Sequence, residues 1–168
     1  IVVDGIEIQG KTKTAGIRVG ALRGIYAQKT PNVKIRNSTI NVDGDLYGAI
    51  YVEGGKAEAT LDNVTAHAIS CPTIIGYAGK LTINSGRYTN ENHTDVVVSN
   101  VASMKKVDAI INGGEFEDGS DVMPTLEVAT HRSYREVTLE IHGGTFTSTQ
   151  SGLVLRNNAT VKIDSSIS

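Results

Sequence analysis

The sequence predicts an all-β chain wound as a right-handed parallel β-helix, a solenoid of about seven coils with three short strands per coil. The first observation behind this is a motif that recurs seven times. It consists of an apolar residue, a polar or charged residue, two small or turn-type residues, and then a further apolar residue. Clear copies are Ile83-Asn84-Ser85-Gly86-Arg87-Tyr88, Ile111-Asn112-Gly113-Gly114-Glu115-Phe116 and Ile141-His142-Gly143-Gly144-Thr145-Phe146. Looser copies start at Val3, Ile35, Leu61 and Ile163. The steps between anchors are uneven, longest from Val3 to Ile35 and shortest from Leu61 to Ile83 and from Ile141 to Ile163. The second observation is alternation with period two inside each unit, which marks strands with one buried face. The third is that uneven unit length, which suits strands that keep register while the turns between them absorb insertions.

Each unit divides into three runs. The anchor strand carries Val33/Ile35, Ala59/Leu61, Leu81/Ile83, Ala109/Ile111, Leu139/Ile141 and Val161/Ile163 on one face. A small-residue turn follows. A very short strand then places Ile40, Ala66, Tyr88, Phe116 and Phe146 five residues after their anchors. The third run carries Ile25/Ala27, Ile50/Val52, Val96/Val98, Leu126/Val128 and Leu153/Leu155. Pro72 and Pro124 sit at the same point of their coils, at the start of a strand where a missing N–H is tolerated. Only Asn100 to Val107 suits a single turn of helix. Stacking at the ~4.8 Å strand spacing then lines like residues into vertical ladders and pairs the main chain of each coil with its neighbours.

The 168 residues form one domain, 1–168, by length. The formal net charge of −2 gives no pull toward nucleic acid or an acidic membrane surface. Cys71 is the single cysteine, so no internal disulfide is possible. No apolar run is long enough for membrane insertion. Solenoid ends need polar caps. Ile1-Val2-Val3 and Val161-Lys162-Ile163 are bare strands, so flanking domains or self-association are expected at both ends.

Four outward features bear on function. A polar column follows the anchors: Asp4, Arg36, Asp62, Asn84, Asn112, His142 and Asp164. Stacked side chains there hydrogen-bond along the axis, and the repeat register sets no second carboxylate beside Asp62 or His142 for acid/base work. A basic column precedes the anchors: Lys29, Lys56, Lys80, Lys105 with Lys106, Arg132 with Arg135, and Arg156. It reads either as a solvated face neutralised by Glu53, Glu58 and Glu136, or as a track for an acidic polysaccharide. The outward side of the third strand carries Tyr26, Tyr51, Ile75, Val97, Glu127 and Val154. Such an apolar stripe is covered by a loop or another chain, or stacks against sugar rings. Asp43 and Asp45 flank Gly44 and make a weak calcium candidate without the spacing of an EF-hand. His67, His93, His131 and His142 lie on different coils and make no zinc site. No cofactor is expected.

Gly113-Gly114-Glu115-Phe116 spells the signature of diguanylate cyclases, but the helices that signature needs are not in the pattern. The next coil holds Gly143-Gly144-Thr145-Phe146 in the same register, which makes both of them turns. These turns between short strands resemble the right-handed β-helices of pectate-lyase-like enzymes, phage tailspikes and bacterial surface adhesins. The resemblance spans the chain and implies an extracellular, cell-surface or virion-surface element for display or adhesion, with a polysaccharide or cell-surface glycan as partner. It also implies two alternatives, a polysaccharide lyase or glycoside hydrolase domain and a self-assembling filament or surface-layer unit. The calcium ligands, catalytic Arg or Lys, and Asp cluster of the enzymes have no residue-by-residue match here, so no catalytic residue is assigned.

Overall fold

The computed structural model describes residues 1–12, 15–20, 32–44, 47–99, 106–130, 136–156 and 159–164. Among them the chain is all-β, every strand pairing is parallel, and no helix is long and apolar enough to cross a membrane. The strands are β1 (Val2–Asp4), β2 (Glu7–Thr12), β3 (Ile17–Gly20), β4 (Asn32–Gly44), β5 (Ile50–Ala68), β6 (Ile74–Ile83), β7 (Gly86–Asn90) and β8 (Val96–Ser99). They continue as β9 (Lys106–Ile111), β10 (Glu115–Asp118), β11 (Pro124–Ala129), β12 (Glu136–Ile141), β13 (Thr145–Ser148), β14 (Ser151–Arg156) and β15 (Ala159–Ile163).

The registers form three ladders. The first stacks Val3, Ile35, Leu61, Ile83, Ile111, Ile141 and Ile163. The second stacks Ile8, Ile40, Ala66, Tyr88, Phe116 and Phe146. The third stacks Ile17, Ile50, Ile74, Val96, Leu126 and Leu153. Partners in a ladder are one repeat apart along the chain, as close as Leu61 is to Ile83 and as distant as Ile17 is from Ile50. A parallel pair needs a long return path, and the rest of the repeat supplies it. Three strands bend through corners: β4 serves the first two ladders, β5 all three, and β6 the third and the first. The inward file makes one core in which Ile35, Ile40, Ile50, Leu61 and Ile74 are all 0% exposed.

The anchor and short-strand registers are those the alternation predicts. The third run differs in the first coil, where Ile17 and Val19, not Ile25 and Ala27, pair with Ile50 and Val52. Both pairs alternate, so period alone does not choose between them. Each pair is also preceded by a glycine, Gly16 and Gly24. At Gly16 a Cβ would lie 2.6 Å from Ile40 Cγ2 and 2.8 Å from the Ala49 carbonyl oxygen, so the close approach that starts β3 needs glycine. Ile25 and Ala27 lie outside the described residues. So does most of the expected helical turn, but its last residue, Val107, is in strand β9.

The corner after the anchor comes in two forms. In the first three copies the residue two past the anchor has positive φ: Gly5 (63°), Asn37 (49°) and Asn63 (53°). Asparagine tolerates this region better than most residues with a side chain. It also adds a ladder here, because Asn63 Nδ2 donates to Asn37 Oδ1 at 2.9 Å and Asn37 Nδ2 to Asp4 Oδ1 at 3.0 Å. In the next three copies positive φ moves one residue on, to Gly86, Gly114 and Gly144. There the second ladder becomes aromatic. Tyr88 and Phe116 stack at 5.1 Å and 17°, and Phe116 and Phe146 at 4.8 Å and 8°. The Tyr88 hydroxyl donates to the Ser85 carbonyl at 3.0 Å, and burial pushes its phenol far above its ordinary range.

Phe116→Ala removes the middle ring and is expected to cost about 3–5 kcal/mol. Gly152→Ala, whose Cβ would meet nothing within 4 Å, is expected to stay within about 0.5 kcal/mol of the parent. Urea unfolding of the two variants checks both.

Candidate functional site

Along the third ladder, Tyr51, Ile75, Val97, Glu127 and Val154 alternate with the inward file and share one register on the outer face. The stripe is covered: Tyr51 is 3%, Ile75 4% and Val97 8% exposed. Alternation says which side of a strand faces away from the core, not whether another segment folds over that side. Tyr51 is packed by Tyr47 at 4.5 Å and by Tyr77, edge-on, at 5.8 Å. Tyr26 lies outside the described residues, and the register partner of Tyr51 is Arg18.

The cover leaves a groove of about 330 Å³. Its floor is two outward rows, Ile75, Val97 and Glu127 beside Tyr77, Ser99 and Ala129; Cys71, Pro72 and His93 close it. The closing segments are held by one corner residue. Asn90 Oδ1 accepts from the backbone N–H of Asn92 (3.1 Å) and of His93 (2.7 Å). Its Nδ2 donates to the Cys71 carbonyl (2.8 Å) and to Thr73 Oγ1 (2.9 Å). Asn90 thus ties the His93 segment to the Cys71 segment.

The polar groups of the groove have defined states. The Thr94 N–H donates to His93 Nδ1 at 2.8 Å, so the neutral ring carries its proton on Nε2 and offers a donor there. Burial lowers the His93 pKa, and the Glu127 and Asp118 carboxylates partly offset that. The Tyr77 phenol is raised, first by burial and then by Glu127 and Tyr47. Ser99 Oγ is buried and has no partner among the described residues. An apolar floor with a few convergent polar groups is the usual form of a small-ligand site. Tyr77 shares its parity with Ile75, and that signal in the alternation would have found it. His93 reaches the groove through the Asn90 turn, which period two does not reveal.

The basic column looks different in place. Lys80 stands in register between Glu58 and Asp108. Lys106 pairs with Asp108 at 3.2 Å and is in register with Glu136. Around Lys80 and Lys106 it is therefore a ladder of both signs, with a hollow of about 270 Å³ lined by Lys80, Lys106, Asp108, Thr138 and Glu140 among others. Lys105, Arg132 and Arg135 lie outside the described residues.

The polar column stacks as expected. Asn112 Nδ2 donates to Asn84 Oδ1 at 2.8 Å, and Arg36 pairs with Asp4 at 2.9 Å. Carboxylates do stand beside one of its two acid/base candidates. His142 lies 3.7 Å from Glu140 and 4.0 Å from Asp164. Glu140 shares the outward face of β12 two residues earlier, which the alternation carried and the coil register alone did not. The other candidate, Asp62, is engaged by Lys34 at 3.0 Å. Asp43 pairs with Lys11 at 3.5 Å and accepts from Ser70 Oγ at 3.2 Å, while Asp45 is outside the described residues. Among the described residues no three His, Cys, Asp or Glu side chains are grouped to hold a metal ion.

The chain matches no family, and no curated protein or solved structure matches it. The groove therefore has to be judged by its own chemistry.

His93 is expected to titrate below the ordinary histidine value of ~6.5, because burial disfavours its charged form. Unfolded chains then bind the extra proton first, so this residue lowers stability as pH falls through the histidine range. Nitrogen-15 NMR of the imidazoles checks the midpoint and the Nε2–H tautomer together.

Proposed function

We propose that the chain is a right-handed parallel β-helix of about seven coils, three short strands in each, acting in display and adhesion at an extracellular, cell or virion surface. The turns at Gly113-Gly114 and Gly143-Gly144 and the three parallel ladders support the coil. The groove supports glycan contact, and it is the observation that carries the functional reading. Tyr77, His93 and Glu127 are among the residues that line a space of about 330 Å³. A sugar offers an apolar C–H face to an aromatic ring and hydroxyls to carboxylate and imidazole. Glu127 in the floor and the acid-matched described lysines favour a neutral sugar over a polyanion.

The hydrolase alternative normally needs two carboxylates across the scissile bond. Among its described lining the groove presents one, Glu127. That favours binding over hydrolysis. A filament or surface-layer unit is the second reading.

A panel of neutral and acidic glycans, assayed in parallel for capture and for new reducing or unsaturated ends, tests the assignment. Capture of neutral glycans without turnover is expected. Tyr77→Ala should weaken it at least tenfold, about 1.4 kcal/mol, while Lys80→Ala with Lys106→Ala leaves it unchanged. Capture that follows the lysines instead, or turnover, would replace the groove with the basic column or with an enzyme.

A further inference from the structure

Thr73, Asp95 and Thr125 occupy one position in three successive coils. Ile74 pairs with Val96 and Val96 with Leu126, which puts the residue before each of them in one file. All three are 0% exposed. The two threonines use the position in the same way. Thr73 Oγ1 donates to the Thr89 carbonyl at 2.7 Å, and Thr125 Oγ1 to the Thr147 carbonyl at 3.3 Å. Thr89, Glu117 and Thr147 are themselves in register. The acceptor that falls to Asp95 is therefore the main-chain carbonyl of Glu117.

An ionised carboxylate has only lone pairs to offer that carbonyl. Both Asp95 oxygens lack a hydrogen-bond partner among the described residues. Among the described residues, the charged groups that bear on Asp95 are the Asp118 and Glu117 carboxylates of β10, both of the wrong sign. His93, on the same corner as Asp95, acts on Asp118. Asp118 is itself buried, with Oδ1 capping the Ser120 N–H at 2.7 Å and Oδ2 without a partner among the described residues. A charge buried among charges of its own sign is among the costliest arrangements in a protein. Protonation removes the charge and creates the missing donor in one step.

We propose that Asp95 is held as a neutral carboxylic acid whose O–H donates to the Glu117 carbonyl, standing in for the hydroxyl of Thr73 and Thr125, so that this corner is a proton-dependent latch on the segment carrying His93. Burial comes first and the Asp118 and Glu117 carboxylates add to it; the Glu117 backbone N–H, which favours the ionised form, opposes them, and together they push the Asp95 carboxyl up to about 8. An unfolded aspartate releases its proton near ~3.9. Between these values the native chain holds a proton the unfolded chain has lost. The Asp95 contribution is thus complete below the lower value, declines as pH rises, and is gone once pH passes the upper one. The inference goes beyond the glycan reading, and its test needs no ligand.

The test is the urea unfolding midpoint from pH 4 to pH 9 for the parent, Asp95→Thr and Asp95→Asn, with carbon-13 NMR of the Asp95 carboxyl in the folded parent. Both variants keep a donor at this position without a titrating proton. Their folding constants relative to the parent are expected to rise about tenfold per pH unit inside the window and to level off above it. The carboxyl carbon is expected to titrate near pH 8. Variants that track the parent at every pH, or a carboxyl that titrates below pH ~5, would overturn the proposal. The carbon-13 titration decides the matter even if Asp95→Thr fails to fold.

Discussion

Main-chain hydrogen bonding between parallel strands of successive repeats is the constraint on which the rest of this structure depends. Each straight run between corners is short, and on its own it leaves both edges unpaired and one apolar face open. Pairing each strand with its counterpart one repeat away settles both at once. Asn112 N–H reaches the Ile83 carbonyl and His142 N–H the Ile111 carbonyl, each at 2.8 Å, and the inward residues then fall over one another without further instruction. Because the bonds bind strand to strand, the corners are free to vary in length. The core is continuous although no two steps of the chain need be equal.

Function, where this fold offers any, is left to the corners. Corner residues have to satisfy main-chain groups that the ladders do not reach, and here short polar side chains do so. Asn90, Asp118 and Ser148 share one register, and each accepts from an N–H within three residues of itself. The Asn90 turn is also what lays His93 across the outer face of the third ladder. The groove is therefore a by-product of how one corner caps itself. Asp95 lies five residues on from that cap, in a file where hydroxyls are the rule, and there the chain accepts a carboxyl group that only a proton makes welcome.

The sequence discloses the ladders better than the site. The spacing from Ile83 to Ile111 to Ile141 is legible because apolar anchors and small turn residues recur together, and the stack of Phe116 on Phe146 follows from it. The first coil is harder, since Ile17/Val19 and Ile25/Ala27 alternate equally well and each follows a glycine. For the outer face of the third ladder, alternation picks the residues but not the segments that cover them. Tyr51 faces away from the core, yet Tyr47 and Tyr77 enclose it, because burial by a folded-over segment leaves no periodic mark. The basic column shows the reverse limit: cations are easy to count, while the acids beside Lys80 and Lys106 become neighbours only once the register is known. Asp95 gives no signal beyond its place between Thr73 and Thr125.

The most direct measurement is of scalar couplings across hydrogen bonds in a nitrogen-15 and carbon-13 labelled sample, which report donor and acceptor pairs one by one. Parallel stacking of repeats predicts couplings from the Asn112 amide to the Ile83 carbonyl, from His142 to Ile111 and from Asp164 to Ile141. Amides of these residues coupled to carbonyls a few positions away in the chain, or to strands running in the opposite direction, would contradict it.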